Sequence, residues 1–109
     1  MPHYIIKLDT KDGPRYLEWS TVVDAPVTYG MPLDAFTKYW RKEYGAADRN
    51  DRLEARLRDV DAKGTDSYSD ASVDATIANN RAGAGETRLT KEQIIEYYCL
   101  RRGRHLRGT

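Results

Sequence analysis

Two alternating runs near the N-terminus constrain the fold more than any other feature of the chain. Tyr4, Ile6 and Leu8 alternate with Ile5, Lys7 and Asp9, and Leu17, Trp19, Thr21 and Val23 alternate with Tyr16, Glu18, Ser20 and Val22. A period of two is that of a strand with one face buried. Between the runs stands Thr10-Lys11-Asp12-Gly13-Pro14, and Asp-Gly favours the centre of a tight turn because both residues tolerate positive φ. The expectation is an antiparallel hairpin. A loop at residues 12 and 13 sets Leu8 opposite Leu17, Ile6 opposite Trp19 and Tyr4 opposite Thr21. Because Pro14 has no N–H to close a two-residue loop, a four-residue loop over 11–14 is the alternative, with the same pairing. A slip by one residue would turn Tyr16 and Glu18 toward the core, so burial selects this arrangement.

After Pro26, Val27-Thr28-Tyr29 reads as a short third strand and Gly30 as the turn into a helix with Pro32 in its first turn. Leu33, Phe36, Thr37, Trp40 and Tyr44 recur at helical spacing up to Gly45, and this helix is expected to dock on the hairpin's apolar face. Residues 48–63 carry the narrower stripe Leu53, Leu57 and Val60, with Asp48 available as cap. A short helix around Val73 and Ile77 follows, capped by Asp70 or Ser72, and then a loop over residues 81–85. Thr90-Lys91-Glu92-Gln93 fits a capping box for the last helix, whose Ile94, Ile95 and Tyr98 face inward and which Gly103 ends. The fold class expected is α+β: an N-terminal antiparallel hairpin, with a possible third short strand, and three to four helices mainly on one face. Residues 1–103 form one domain and residues 104–109 a short basic tail. The core is expected to hold Ile6, Leu8, Leu17, Trp19, Phe36, Trp40, Ile94, Ile95 and Tyr98.

Composition enters as a check on whether such a core suffices. Leu, Ile, Val and Phe make up only about 17% of the 109 residues, a level that raises the question of disorder. The net charge of +1, with 8 Tyr and 2 Trp, argues for a folded, aromatic-rich domain. No apolar run approaches the length of a membrane span, and Met1-Pro2-His3 lacks the basic and apolar segments of a secretion signal, so the expected location is cytoplasmic. Charge is placed unevenly. Arg101, Arg102, Arg104 and Arg107 stand without an acid among them, whereas residues 1–100 carry 14 basic and 17 acidic groups.

Chemistry-bearing motifs are sparse. The two histidines, His3 and His105, lie at opposite ends, and the single Cys99 shares a helix face with core residues. No His-x-x-x-His or Cys-x-x-Cys spacing is present, so neither a metal nor a cofactor is expected. The loop 82–87 lacks the Gly-Lys-Ser/Thr that closes a phosphate cradle and reads as a connector. Glu18, Asp24 and Asp34 surround the strand-to-helix region and could form a carboxylate site, though a chain with 17 acids produces such a group by chance. The reading is therefore non-enzymatic. Helical geometry turns Tyr39 about 100° from the Phe36/Trp40 face and puts Tyr97 beside the Ile94/Tyr98 face, four residues before Arg101. Tyr39, Tyr97 and Arg101 are the expected protein-binding residues, since Tyr and Arg dominate interface hot spots. The alternative is nucleic-acid binding through Arg101, Arg102, Arg104 and Arg107.

The stretch Tyr16-Leu17-Glu18-Trp19-Ser20-Thr21-Val22-Val23-Asp24-Ala25-Pro26-Val27-Thr28, the Tyr29-Gly30-Met31 turn and the aromatic helix through Tyr39-Trp40 and Glu43-Tyr44-Gly45 resemble small proteins of actinobacterial phages, of the mycobacteriophage type. Asn80-Arg81-Ala82-Gly83 and the segment from Leu89-Thr90 through Ile94-Ile95 to Tyr97-Tyr98 belong to the same pattern. The resemblance spans most of residues 3–102 and contains no catalytic motif. It implies an uncharacterised accessory protein made in the host cytoplasm that acts by binding a host protein, and it transfers no active site.

Overall fold

The computed structural model describes residues 3–45, 52–65 and 73–100. Strands β1 (His3–Thr10) and β2 (Gly13–Ser20) pair antiparallel, and β3 (Ala25–Pro26) adds to the far side of β2, giving the order β1-β2-β3. Among the described residues four α-helical segments follow: α1 (Leu33–Tyr44), α2 (Arg52–Lys63), α3 (Val73–Ile77) and α4 (Lys91–Ile94). The last runs without a break into a π-helical segment, Ile95–Leu100. The architecture is α+β, with the hairpin and a short third strand. None of the described helices is long and apolar enough to cross a membrane.

The hairpin keeps the expected parity but not the expected partners. Ile6 faces Leu17, Tyr4 faces Trp19 and Thr10 faces Gly13, a shift of two residues that places the loop at Lys11-Asp12. Pro14 supplies the reason. The Tyr16 N–H donates to the Met31 carbonyl (2.7 Å) and the Glu18 N–H to Thr28 Oγ1 (3.1 Å), so alternate residues of β2 point their backbone groups away from β1. Pro14 falls on that outward set, where its missing N–H costs the ladder nothing. A loop at 12–13 would have put it in the closing pair. Gly13 takes φ +101°, a conformation other residues rarely adopt, and Thr10 Oγ1 donates to the Gly13 carbonyl while accepting the Asp12 N–H. Because the shift is even, Ile6, Leu8, Leu17 and Trp19 still share a face.

That face does not receive α1. It packs with Ile77, Ala82, Ile94, Tyr98 and Cys99, from α3, the following loop and the C-terminal helical segments, with Ile95 and Tyr97 half-buried at its margin. Phe36 and Trp40 of α1 pack instead on the opposite face, with Ile5, Tyr16, Leu53 and Val60. The helices therefore cover both faces of the sheet instead of gathering on one, and the two tryptophans sit in separate cores. The sequence carries the physical reason: Ile5 and Ile6 are adjacent, so β1 is apolar on both sides and each side requires a cover. Leu33, read as part of the buried stripe, is 45% exposed at the start of α1.

Other local expectations stand or shift by a few residues. Thr90 Oγ1 accepts the Gln93 N–H and the Gln93 side chain accepts the Thr90 N–H, completing the capping box. The third strand lies at Ala25–Pro26, ahead of Val27-Thr28-Tyr29, and β2 ends at Ser20, before the turn that contains Asp24 at φ +56°. Gly30 is required by close approach, since a Cβ there would lie 2.5 Å from Cys99 Sγ. Asn80 is buried and fully used: its Nδ2 donates to the Ile77 and Leu89 carbonyls, and its Oδ1 accepts from the Ala82 and Leu89 N–H groups. The loop after it is thereby tied to α3. The caps assigned to Asp48, Asp70 and Ser72 lie outside the described residues.

Candidate functional site

Position 18 has the polar side chain that the buried α1 face must accommodate. Glu18 lies on β2 between Tyr16 and Ser20, on the surface that receives Phe36 and Trp40, and it is 0% exposed. A buried carboxylate is costly unless donors surround it. Three do. Tyr39 OH donates to Oε1 at 2.6 Å, Tyr44 OH donates to Oε2 at 2.5 Å, and His3 Nδ1 lies 2.5 Å from Oε2. Each donor belongs to an element fixed by apolar packing.

His3 opens β1 and sits diagonally across the ladder from Glu18, within reach of a long side chain. Tyr39 and Tyr44 stand about 140° apart around α1 and straddle the Phe36/Trp40 stripe, so the two phenols reach down either side of it. Aromatic packing holds them there. Phe36 lies 5.9 Å from Tyr39, and Trp40 lies 4.5 Å from Tyr44, between ring centres. From α2, the Arg56 guanidinium stacks over Trp40 at 4.4 Å and Nη2 donates to the His3 carbonyl at 3.2 Å. Two elements, β1 and α1, thus bring groups to a carboxylate carried by β2, and α2 buttresses both of them.

The electrostatic consequence falls on the phenols. Burial, followed by the hydrogen bond to Glu18, pushes Tyr44 from 10.0 up to about 12, and the same causes in the same order raise Tyr39 further. Folded chain holds these protons more tightly than unfolded chain, so their contribution to stability is complete below pH 10; that of Tyr44 is lost as pH rises through about 12 and that of Tyr39 only above it. A phenolate titration by ultraviolet absorbance should show Tyr39 and Tyr44 ionising together with unfolding above pH 10. Ionisation of all eight tyrosines near pH 10 with the fold intact would contradict the cluster.

The three acids singled out from sequence are not brought together. Asp34 is exposed and accepts the Ala35 N–H at the start of α1, and Asp24 lies in the β2–β3 turn, where its carbonyl accepts the Arg81 N–H. Glu18 has gathered a histidine and two phenols instead. Tyr39 and Tyr97, read as one contact patch, pack against opposite faces of the sheet, and the Tyr39 hydroxyl is committed to Glu18. Arg101, Arg102, Arg104 and Arg107 lie outside the described residues. The loop read as a connector uses its amides internally, Gly83 N–H to the Thr87 carbonyl and Glu86 N–H to the Gly83 carbonyl. Among the described residues, no group of three His, Cys, Asp or Glu is placed to hold a metal ion.

Alternation with a single buried parity places Glu18 on the solvent side of β2. The available signal was Ile5 with Tyr16: apolar residues on the second parity of both strands mark a second covered face, and the acid between them then needs partners. Comparison of the chain with protein-family models, with curated proteins and with solved structures gives no match.

Proposed function

We propose that this chain is a protein-binding domain, a phage-type accessory protein that occupies a surface of a host component, and that it meets its partner along the sheet margin built by residues 22–33. The carrying observation is apolar exposure. Val22, Val27 and Leu33 are 73%, 46% and 45% exposed, all within the segment that runs from the β2–β3 turn past β3 to the first turn of α1. Burying a fully exposed side chain of this kind contributes roughly 1.5–3 kcal/mol, and Val22 with the half-covered Val27 and Leu33 offers a share of that in proportion to what each still exposes. The edge itself discourages strand addition. Val27 N–H points inward to the Glu18 carbonyl, which turns Pro26 outward with no N–H to offer. The contact would be made by side chains.

The test pairs Val27→Glu with Leu33→Glu. Both positions are surface-exposed, so the double variant should keep its circular dichroism and urea midpoint. Native chain should retain a host protein on affinity capture at high salt, because apolar contact survives screening, and the double variant should lose it. Equal capture by both forms would remove the proposal. Release of the captured material by salt and nuclease would instead favour nucleic-acid binding through Arg101, Arg102, Arg104 and Arg107.

A further inference from the structure

The pairing of a buried carboxylate with a part-exposed imidazole has a chemical consequence separate from partner binding. We infer that His3 is a nucleophilic site: Nδ1 keeps the ring proton and donates it as a hydrogen bond to Glu18, while Nε2 presents its lone pair to solvent and accepts acyl groups from neutral activated esters. In a neutral imidazole one nitrogen is a donor and the other an acceptor, and a carboxylate on one side decides which. Here Oε2 of Glu18 lies 2.5 Å from Nδ1. Glu18 is 0% exposed and the His3 side chain 31%, so with Nδ1 set against a buried carboxylate the solvent contact of the side chain is left to its other atoms, Nε2 among them.

The supporting groups keep that orientation. Tyr39 and Tyr44 place a hydroxyl on each oxygen of Glu18, which stops the carboxylate from swinging off the ring. Arg56 holds the His3 carbonyl and is itself stacked on Trp40, so the first residue of β1 is fixed at its backbone as well. Glu18 is a positioning residue and His3 the catalytic one. Glu18 beside the ring and Arg56 at the His3 carbonyl offset each other in charge, which leaves a neutral ester as the substrate the site suits.

In the reaction, Nε2 attacks the acyl carbon and the bond to the aryl oxygen breaks, the phenolate leaving with the electron pair. The acylated ring is cationic, and Glu18 faces that charge through Nδ1–H. Water then adds to the acyl carbon, the carbon–nitrogen bond breaks with its pair returning to Nε2, and a carboxylate and two protons pass to solvent. No oxidant, reductant or metal is consumed.

Two measurements on the full chain test this with p-nitrophenyl acetate as the probe. The ¹⁵N–¹H correlation pattern of neutral His3 should be that of the Nδ1–H form, and the initial rate of mass-resolved acetylation of His3 should exceed that of N-acetylhistidine in the same tube by roughly a hundredfold, the low end of what a positioned acid–base partner supplies. Glu18→Gln should relax the tautomer toward Nε2–H and bring the rate down to the reference. His3→Gln should abolish the excess nitrophenolate release. An Nε2–H tautomer in the native chain, or a His3 rate no higher than the reference, overturns the inference, and neither result depends on a variant that folds.

Discussion

Glu18→Ala will lower the unfolding free energy by about 3–6 kcal/mol at neutral pH, read as a fall in the urea midpoint. Two hydroxyl bonds to a charged acceptor account for the figure at roughly 1.5–3 kcal/mol each, and the loss falls on α1, whose Tyr39 and Tyr44 are the donors. Against a total of about 5–15 kcal/mol for a domain of this kind, such a change leaves little margin. A second variant separates what the cluster does from what it costs. Replacing Glu18 with Leu together with Tyr39→Phe and Tyr44→Phe removes acceptor and donors at once, and buried polar groups exchanged in this way for apolar ones of similar size often leave stability unchanged or raised. Recovery of most of the lost stability in the triple variant would show that the cluster exists for what it presents, His3 included, more than for holding α1. A change of under 1 kcal/mol in the single variant would show that the carboxylate is not the acceptor on which these groups depend.

The two tryptophans provide the second large effect. Trp19→Ala and Trp40→Ala should each cost about 3–5 kcal/mol, the usual loss when a buried large aromatic is truncated, since both indoles are 1% exposed. Their independence is the sharper prediction. Trp19 lies with Tyr98 and Ile94 on one side of the sheet and Trp40 with Phe36 and Leu53 on the other. The milder pair Trp19→Phe and Trp40→Phe should therefore add within about 0.5 kcal/mol in a double-mutant cycle, as distant sites do. A coupling above 1 kcal/mol would mean that the indoles share one interior, and the division of helices between the two faces would be wrong.

Much of the local structure is legible residue by residue. The alternation through Ile6, Leu8, Leu17 and Trp19 sets strand and face together, because successive side chains on a pleated strand point to opposite sides. Thr90 and Gln93 specify the start of the last helix through two reciprocal hydrogen bonds, and both partners lie within one turn. The functional constellation was less visible. His3, Glu18, Tyr39 and Tyr44 are separated by up to 41 positions and share no motif; what unites them is the seating of α1 over Ile5 and Tyr16.

The boundary between the two kinds of information follows from the range of the forces. Period, turn chemistry and capping act over a few residues, so the chain alone determined the hairpin, its parity, the last helix's cap and the α+β class. Which of two apolar sheet faces receives which helix depends on packing between segments distant in sequence, and only the tertiary structure decided it. The same holds for the two-residue shift of register, where Pro14 and the neighbouring Met31 and Thr28 act together. It holds above all for Glu18, whose place in the interior became tolerable only when a helix brought it two phenol donors and a strand end an imidazole.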